Sequence, residues 1–207
     1  MARMPETERL LLLSERDRAF WTQDGVILAG MDEVGRGPLA GPVVVGCVVM
    51  PPEPLLAYVN DSKKVTEKRR EALYDTIMST AIEARTAWVW QDVIDKINIL
   101  EATKKAFHDA FAAMQTPITD VMIDALTGLA IPARQHPLIH GDALCYSIAA
   151  ASIVAKVERD RYMIEQDKLY PAYGFARNKG YGTAEHIAAL RQYGPTPLHR
   201  RSFLKNL

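Results

Sequence analysis

The sequence predicts an α/β domain in which a mixed β-sheet is flanked by helices and followed by a helical C-terminal extension. Two apolar runs, 26–31 and 43–50, come first, and helical periodicity then alternates with further strand-like runs. That order is typical of α/β domains. The short step between the first two runs favours an antiparallel pair, because parallel strands need a crossover of about a dozen residues or more. The 207 residues, 48% of them hydrophobic, are enough to bury one core.

The individual elements follow from hydrophobic periodicity, which differs between strands and helices. Strands are predicted at 26–31, 43–50, 81–90 and 120–124. Helices are predicted at 5–21, 66–78, 98–114, 147–170 and 184–193. The helices at 66–78 and 98–114 are expected to act as crossovers in the sheet. The segment 171–181 is dense in aromatic residues and glycines, and we expect a loop of the same domain there.

Capping residues set several helix boundaries. Thr66 and Thr183 can each accept a hydrogen bond from the free amide groups of a first helical turn. Asn98, with Glu101 three residues later, resembles a capping box. Gly194 ends the last helix, because glycine readily takes the left-handed conformation that follows many helices.

The chain is predicted to form a single domain, 1–207, in three parts. Residues 1–24 form an N-terminal helical extension, about 25–145 form the sheet core, and about 146–207 form the helical C-terminal part. No internal repeat or linker divides these parts. The apolar run Leu10–Leu13 is too short to span a bilayer, so no membrane contact is expected.

Charge and cysteine usage narrow the class of protein. The 25 basic and 25 acidic side chains cancel, so a globally basic coat for nucleic acid is excluded. Residues 151–207 carry ten Lys/Arg against five Asp/Glu. This excess is either ordinary surface scatter or a local surface that meets a polyanion. Cys47 and Cys145 lie in apolar runs, which indicates free thiols in a reducing compartment, and we expect a cytoplasmic monomer.

Two carboxylates directly follow apolar runs. Asp32 comes after 26–31, and Asp124 comes after Val121–Ile123. A carboxylate in such a place is costly unless something compensates its charge, and two of them on neighbouring strands would repel each other. A hard divalent cation such as Mg²⁺ or Mn²⁺ would remove both costs, because these ions prefer oxygen ligands.

The alternative is that Asp32 and Glu33 begin an ordinary turn and that Asp124 caps a helix. Adjacent strand residues point to opposite faces, so Asp32 and Glu33 can share one site only where the strand ends and twists into a turn. The glycine-rich stretch Gly35-Arg36-Gly37 follows at once. The five histidines are scattered and form no competing metal motif.

Several ordered segments carry a more specific signal than any single acid. The first is Asp32-Glu33-Val34-Gly35-Arg36-Gly37-Pro38-Leu39-Ala40-Gly41-Pro42. The others are Asn60-Asp61-Ser62-Lys63-Lys64, Asn98–Thr103, Ile148–Val157, Arg159-Asp160-Arg161, Lys179–Thr183 and His199–Phe203. In this order, over roughly residues 26–205, they resemble the ribonuclease HII family, whose core is similar to that of ribonuclease H. The lysine–glycine–tyrosine segment indicates the bacterial branch.

The resemblance implies a ribonuclease H-like fold and a set of acids that bind metal and carry catalysis. These acids are Asp32, Glu33, Asp124 and Asp142. The sequence departs from the family's common pattern at three positions, none of which removes an acid. Ala125 stands where a glycine is common, His140 where a lysine is usual, and Asn178 where a histidine is usual.

The resemblance also implies contacts with substrate. Gly35, Arg36 and Gly37 match the loop that senses the ribose 2′-OH and the adjacent phosphate. Tyr181 matches a tyrosine that stacks beneath a sugar at the RNA–DNA junction, and its two glycine neighbours favour exposure over core packing. Candidate phosphate contacts are Lys63, Lys64, Lys156, Lys179, Arg200 and Arg201. For each of them taken alone, a solvated surface charge is the more common role.

The activity so implied is hydrolysis of the RNA strand of RNA–DNA hybrids, including single ribonucleotides embedded in duplex DNA. It would use Mn²⁺ or Mg²⁺, two per site during turnover, and leave 5′-phosphate and 3′-hydroxyl ends. Two alternatives stay open. A different metal nuclease on the same core would leave the Gly35–Gly37 loop and Tyr181 unexplained. A binding module without catalysis would explain the basic C-terminal part but not four acids near strand ends.

Overall fold

A mixed β-sheet forms the centre of the structure, a computed structural model that describes residues 4–205. Its strands are β1 (Leu28–Val34), β2 (Val43–Val49), β3 (Glu83–Val89), β4 (Asp120–Asp124) and β5 (Arg134–Leu138). Within the described residues they form one five-stranded sheet in the order β3-β2-β1-β4-β5. β2 lies antiparallel to β1 and β3, whereas β4 pairs parallel with both β1 and β5.

Helices cover both faces of this sheet. They are α1 (Glu6–Leu13), α2 (Glu15–Trp21), α3 (Glu67–Thr80), α4 (Gln91–Ala112), α5 (Gly141–Leu144), α6 (Tyr146–Leu169), α7 (Phe175–Asn178) and α8 (Ala184–Tyr193). The apolar side chains of α4 pack on one face, and those of α3 and α6 pack on the other. Among the described helices, none combines the length and the apolar character that a membrane crossing requires.

The predicted α/β architecture is confirmed, with differences at the sheet. The four predicted strands are present, and β1 and β2 form the expected antiparallel pair. β1 runs on to Val34, so Asp32 and Glu33 lie inside the strand and not after it; pairing with Val44–Gly46 of β2 extends it. β5 was not predicted, because its sequence is largely polar and contains Pro137, which is tolerated at a sheet edge.

The helices also differ in detail from the prediction. The predicted helix 5–21 is two short helices that meet at Ser14. α4 begins at Gln91, before the predicted start at Asn98. Asn98 interrupts it with a φ of 66°, and its Oδ1 accepts hydrogen bonds from the amides of Leu100 and Glu101, as predicted. The Glu101 half of the predicted capping box is replaced by a bond from Lys104 to the Glu101 carboxylate.

The connections between strands correct a further expectation. α3 leads from β2 to its antiparallel neighbour β3, so the predicted crossover at 66–78 is wrong. α4 does join strands of the same direction, β3 and β4. The predicted loop at 171–181 contains a 3₁₀ turn, Pro171–Tyr173, followed by α7. Thr183 caps α8 as predicted, accepting a hydrogen bond from the amide of His186.

α6 lies unusually close to the two central strands. A Cβ atom on Gly30 of β1 would come 2.1 Å from the carbonyl carbon of Ser147, and one on Gly46 of β2 would come 2.6 Å from the carbonyl oxygen of Ala151. Backbone atoms cannot move aside as a side chain can, so only glycine fits at these strand positions. The close approach fixes α6, and α5 directly before it, against the end of β1.

The N-terminal extension is tied to the same junction by Asp17. Its carboxylate accepts hydrogen bonds from the amides of Tyr146 and Ser147, both at 2.9 Å, and so caps the start of α6 from another helix. Burial raises the pKa of Asp17, and the bonds from Ser147 and Tyr146 oppose that rise. The extension therefore anchors the segment in which α5 meets α6.

The contact between Gly30 and α6 yields a stability prediction. Gly30→Ala should lower the free energy of unfolding by at least about 3 kcal/mol, because the added methyl group meets the main chain of Ser147. Urea unfolding followed by far-UV circular dichroism measures the effect. Gly37→Ala is the matched control for stability, since its Cβ would meet nothing closer than Tyr181 at 3.7 Å. Equal stabilities of the two variants would contradict the close packing.

Candidate metal and nucleic-acid site

Three carboxylates from distant parts of the chain meet at one corner of the sheet. They belong to Asp32 in β1, Asp124 at the end of β4 and Asp142 in α5. One oxygen from each lies within 4.8 Å of the others. Asp32 and Asp142 are buried, and Asp124 is partly buried.

Strand register explains why Asp32 and Asp124 are neighbours. Met31 of β1 pairs with Ile123 of β4, and an acid follows each of them. Alternate strand residues point to opposite faces. Met31 and Ile123 face α4, so the two acids face the side covered by α6. A parallel pair thus delivers both carboxylates to one face at one edge.

Asp142 reaches the same place through a main-chain contact. The amide of Gly141 donates a hydrogen bond of 2.7 Å to Oδ1 of Asp124. A Cβ on Gly141 would lie 2.5 Å from the side chain of Ile148. The first turn of α5 is therefore held against the end of β4, and Asp142 follows at once.

The three carboxylates destabilise one another's charged forms. Burial raises the pKa of Asp32 well above its ordinary value, and the negative charges of Glu33, Asp124 and Asp142 add to the rise. Burial also raises the pKa of Asp142, with Asp61 and Asp124 as further causes. Lys63 opposes this, since its Nζ lies 3.5 Å from Oδ2 of Asp142.

The donor set fits a hard divalent cation. Three carboxylate oxygens converge, two of their residues are buried, and the charge they would carry is only partly balanced by Lys63. Mg²⁺ and Mn²⁺ prefer such oxygen ligands and would remove the repulsion. Asp32, Asp124 and Asp142 are the residues that would hold such an ion.

Glu33 lies beside this group but not within it. Its carboxylate lies close enough for the charge of Asp124 to act on it, but on the side of the group where Arg36 lies. There its Oε1 accepts a hydrogen bond of 3.2 Å from Arg36. Burial raises the pKa of Glu33, and Arg36 counteracts the rise. The structure thus brings three of the four predicted acids together and directs the fourth toward Arg36.

The glycine-rich loop follows β1 directly and adjoins Tyr181. Gly35 has a φ of +93°, and a Cβ there would meet Nε of Arg159 at 2.4 Å, so glycine is needed for the fold itself. Gly37 has no such constraint: its open side faces the ring of Tyr181, with Cε1 3.7 Å from the position of a Cβ. The Arg36 side chain is 46% exposed. The loop and the tyrosine therefore form one surface.

Tyr181 is held by its backbone and presents its ring to solvent. The residue is 42% exposed. Its carbonyl lies 2.8 Å from Nδ1 of His186, whose Nε2 lies 2.9 Å from Nε2 of His199. Nδ1 of His199 accepts from the amide of Thr196, so two neutral imidazoles in one tautomer order satisfy every bond. Burial lowers the pKa of both histidines, which favours those neutral forms.

The predicted phosphate contacts divide into exposed and internal residues. Lys63 and Lys64 are exposed, with Nζ of Lys64 3.8 Å from Asp61. Lys156 is mostly buried and pairs with Asp160 at 2.7 Å. Lys179 is also mostly buried.

The remaining predicted phosphate contacts are Lys179, Arg200 and Arg201. The Nζ of Lys179 donates to the carbonyl of Ala176. Arg201 is exposed, whereas Arg200 is fully buried and cannot be a surface phosphate contact as it stands. Lys63, Lys64, Arg36 and Arg201 are thus the predicted cations that solvent reaches most freely.

Two features of the site were not anticipated from the sequence. Asp61 is buried close to Asp142 and raises the pKa of that carboxyl. Arg159 packs beneath Gly35. Both residues stand in segments that carry the family resemblance, which was the available signal, but nothing local in the sequence distinguishes them from surface charges.

Comparison with known proteins decides the family. The model of the family described as Ribonuclease HII matches residues 29–206. The chain belongs to the ribonuclease HII family. A ribonuclease HII from Lachnoclostridium phytofermentans is 48% identical over 202 residues, covering 98% of this chain and 79% of that protein. One from Caldanaerobacter subterraneus subsp. tengcongensis is 46% identical and covers 98% and 84%.

Solved structures agree in fold with this ribonuclease HII assignment. Ribonuclease H2 from Pyrococcus horikoshii is similar with a TM-score of 0.71 and 27% identity, over 84% of this chain and 92% of that one. The ribonuclease HII of a PCNA complex from Archaeoglobus fulgidus has a TM-score of 0.72 and 24% identity, over 85% and 94%. The chain is accordingly an endoribonuclease, a hydrolase that cuts an RNA strand.

The repulsion among the acids predicts a gain in stability when one charge is removed. Without metal, Asp32→Asn should raise the melting temperature by about 2–4 °C, which corresponds to roughly 1 kcal/mol for a domain of this size. The amide oxygen can still accept the bond from the amide of Glu33. Thermal unfolding in chelator measures the shift, and Asp24→Asn, at an exposed aspartate, should leave it unchanged. A variant that melts at or below the wild-type temperature would contradict the mutual destabilisation.

Proposed function

We propose that this ribonuclease HII family member hydrolyses the RNA strand of RNA–DNA hybrids and also cuts at single ribonucleotides embedded in duplex DNA. It would do so with Mg²⁺ or Mn²⁺ and leave 5′-phosphate and 3′-hydroxyl ends. The observation that carries the proposal is the convergence of Asp32, Asp124 and Asp142 beside an exposed glycine loop and Tyr181. The acids supply a metal site, and the loop with the tyrosine supplies a surface for ribose.

The three acids and Glu33 would act as the metal-binding and catalytic group. Bound divalent cations, two during turnover, supply an activated water and a stabilised leaving oxygen. The role of the protein is to hold Asp32 and Asp124 in fixed register and to keep Asp142 against them through α5. Glu33 would contribute from the adjoining face, where Arg36 now pairs with it.

The exposed cations would position the phosphates of the duplex. Lys63 lies at the entrance of the acid cluster, with 78% of its side chain exposed, and Lys64 is its neighbour. Arg36 can exchange Glu33 for a phosphate oxygen, since a guanidinium binds phosphate well. Lys156 and Lys179 would reach phosphate only by giving up their internal partners. Such contacts place a duplex without reading its sequence.

Selectivity for ribose would come from the loop and Tyr181 together. The 2′-OH is the group that separates RNA from DNA. Gly37 leaves room for a sugar to approach the main chain, and the ring of Tyr181 stands 3.7 Å from the site of its missing Cβ. A sugar lying over the ring would therefore bring its 2′-OH to the loop. This arrangement is the reason to prefer a ribose-specific nuclease over a general one.

We also propose that residues 1–207 act as one domain and as a monomer, in the cytoplasm. Asp17 of the N-terminal extension and the contact of α6 with β1 both join the three predicted parts. The thiols of Cys47 and Cys145 are free and buried, which fits a reducing compartment.

The central experiment is cleavage of an end-labelled duplex that contains one ribonucleotide. We expect cutting by the wild type with Mg²⁺ or Mn²⁺ and none with chelator. Asp32→Asn should lower the rate by at least about a thousandfold, because a metal ligand is lost. Binding measured in chelator should be unchanged or tighter, since one negative charge near the phosphates has gone. Asp24→Asn serves as the control.

The outcomes separate the competing functions. Cleavage by Asp32→Asn at the wild-type rate would overturn the metal site. Equal cleavage of an all-DNA duplex would indicate a general nuclease on the same core. Binding by the wild type without cleavage in either metal would indicate a binding module.

A second experiment tests the stacking role of Tyr181. Tyr181→Ala should slow cleavage at the single ribonucleotide by about tenfold or more, because stacking on an aromatic ring contributes roughly 1–3 kcal/mol. Tyr181→Phe keeps the ring and should retain most of the rate. Tyr193→Ala, at an exposed tyrosine of α8, is the matched control. An unchanged rate in Tyr181→Ala would remove the stacking role.

A further inference from the structure

Two completely buried arginines form no ion pair with an acid of the described residues. Arg159 of α6 and Arg200 each have 0% exposure. Among residues 4–205, no carboxylate comes within 4.0 Å of either guanidinium. Asp160, which follows Arg159, pairs with Arg70 and Lys156 instead. A buried charge without a counter-charge is costly, so its surroundings must explain it.

Arg200 donates its side-chain hydrogen bonds to main-chain carbonyls of the glycine loop and the residues just after it. Its guanidinium donates to the carbonyls of Gly35 at 2.6 Å, Arg36 at 3.0 Å and Gly41 at 2.9 Å. Its own amide donates to the carbonyl of Leu39 at 2.9 Å. Arg200 therefore holds the loop by four hydrogen bonds.

These bonds fix the direction in which the loop's amides point. In a trans peptide the carbonyl and the following N–H point opposite ways. Because the carbonyls of Gly35 and Arg36 face Arg200 inside the protein, the N–H groups of Arg36 and Gly37 face outward. Neither of these amides donates to an acceptor within the part of the chain that the structure describes. Two adjacent free amides of this kind suit an anion.

Arg159 ties the loop to the segment that carries Tyr181. It donates to the carbonyls of Ala40 at 3.2 Å and Pro42 at 2.9 Å on one side, and to that of Lys179 at 3.0 Å on the other. Lys179 precedes Gly180 and Tyr181. Together with the amides of Leu39 and Ala40, which donate to the carbonyl of Gly180, this side chain holds the loop beside the tyrosine.

The charge of the two arginines points to what the loop would bind. Burial lowers the pKa of both, and the charge of Arg159 lowers that of Arg200 further. The loop lies over the two positive charges, and its outer side carries the free amides of Arg36 and Gly37. Asp160 and Asp95 act on these arginines only from beyond ion-pair distance, so a phosphodiester seated on those amides would add further counter-charge.

We propose that Arg200 and Arg159 are positioning residues for substrate: they turn the amides of Arg36 and Gly37 toward a phosphate and hold that phosphate site at a fixed distance from Tyr181. This inference rests on the proposed function, because it assumes that the Gly35–Gly37 loop and Tyr181 bind the ribonucleotide. Neither arginine touches the reacting atoms.

The test replaces the guanidinium group of Arg200 with an ammonium group and so keeps the positive charge. Arg200→Lys cannot hold three carbonyls at once, since a lysine ammonium is a point donor. In chelator, its Kd for a DNA duplex with one ribonucleotide should rise at least about tenfold, as expected for lost charge-assisted hydrogen bonds. Its Kd for the all-DNA duplex should rise less, because that duplex has no 2′-OH to seat between the loop and Tyr181, so discrimination falls. Arg191→Lys, at an exposed arginine of α8, is the matched control.

Further readouts separate positioning from a loss of fold. Binding of Mn²⁺ alone, followed by calorimetry, should stay at the wild-type level in Arg200→Lys, because Arg200 makes no hydrogen bond to Asp32, Asp124 or Asp142. KM for the ribonucleotide duplex should rise more than kcat falls. Arg159→Lys should also weaken discrimination. Wild-type discrimination in Arg200→Lys with normal Mn²⁺ binding would overturn the proposal.

A measurement on the unaltered protein covers the case in which the variants fail to fold. In ¹⁵N-correlated spectra, the amide signals of Arg36 and Gly37 should shift on addition of the ribonucleotide duplex. If those two signals stay unmoved while the wild type binds, the outward amides are not the phosphate site and the proposal fails. Cleavage of the same duplex by the wild type tests the proposed function separately.

Discussion

Three carboxylates that repel one another are held at one corner of this fold, and the site depends on how the chain enforces that proximity. Parallel pairing of β1 with β4 sets Asp32 beside Asp124, and the amide of Gly141 fixes α5 against Asp124. The hydrogen bond from Gly141 offsets the charge of Asp124 only in part, and burial together with the neighbouring negative charges raises the pKa of Asp32. The packing of the sheet and α6 must offset the cost of holding these carboxylates together, and a bound divalent cation would remove their repulsion.

Glycine makes this enforcement possible at the centre of the molecule. The main chain of α6 approaches β1 and β2 at positions where a single methyl group would collide with Ser147 or Ala151. α5 and Asp142 depend on this approach, because α5 leads directly into α6. Asp17 reinforces the junction from the N-terminal extension. Stability of the core and geometry of the site therefore have the same origin.

Much of the site could be predicted, and the remainder fails for definite physical reasons. Asp32 and Asp124 follow apolar runs, so a pair of carboxylates near the carboxyl ends of neighbouring strands was accessible from pattern and burial cost. Glu33 was expected in the same cluster, but β1 continues to Val34, and strand alternation directs Glu33 toward Arg36. Asp142 was predicted as a site residue only from the family resemblance, because α5 is too short to show a hydrophobic periodicity.

The sequence by itself determined the α/β class, the antiparallel start, most helices, and two acids that call for a cation, because these follow from local periodicity and from the cost of burying charge. Only the tertiary structure decided which cations stay exposed. Lys156 and Arg200 look like surface charges in the sequence, yet one pairs with Asp160 and the other lies under the glycine loop. Such partners are set by contacts between residues far apart along the chain, which no local pattern encodes.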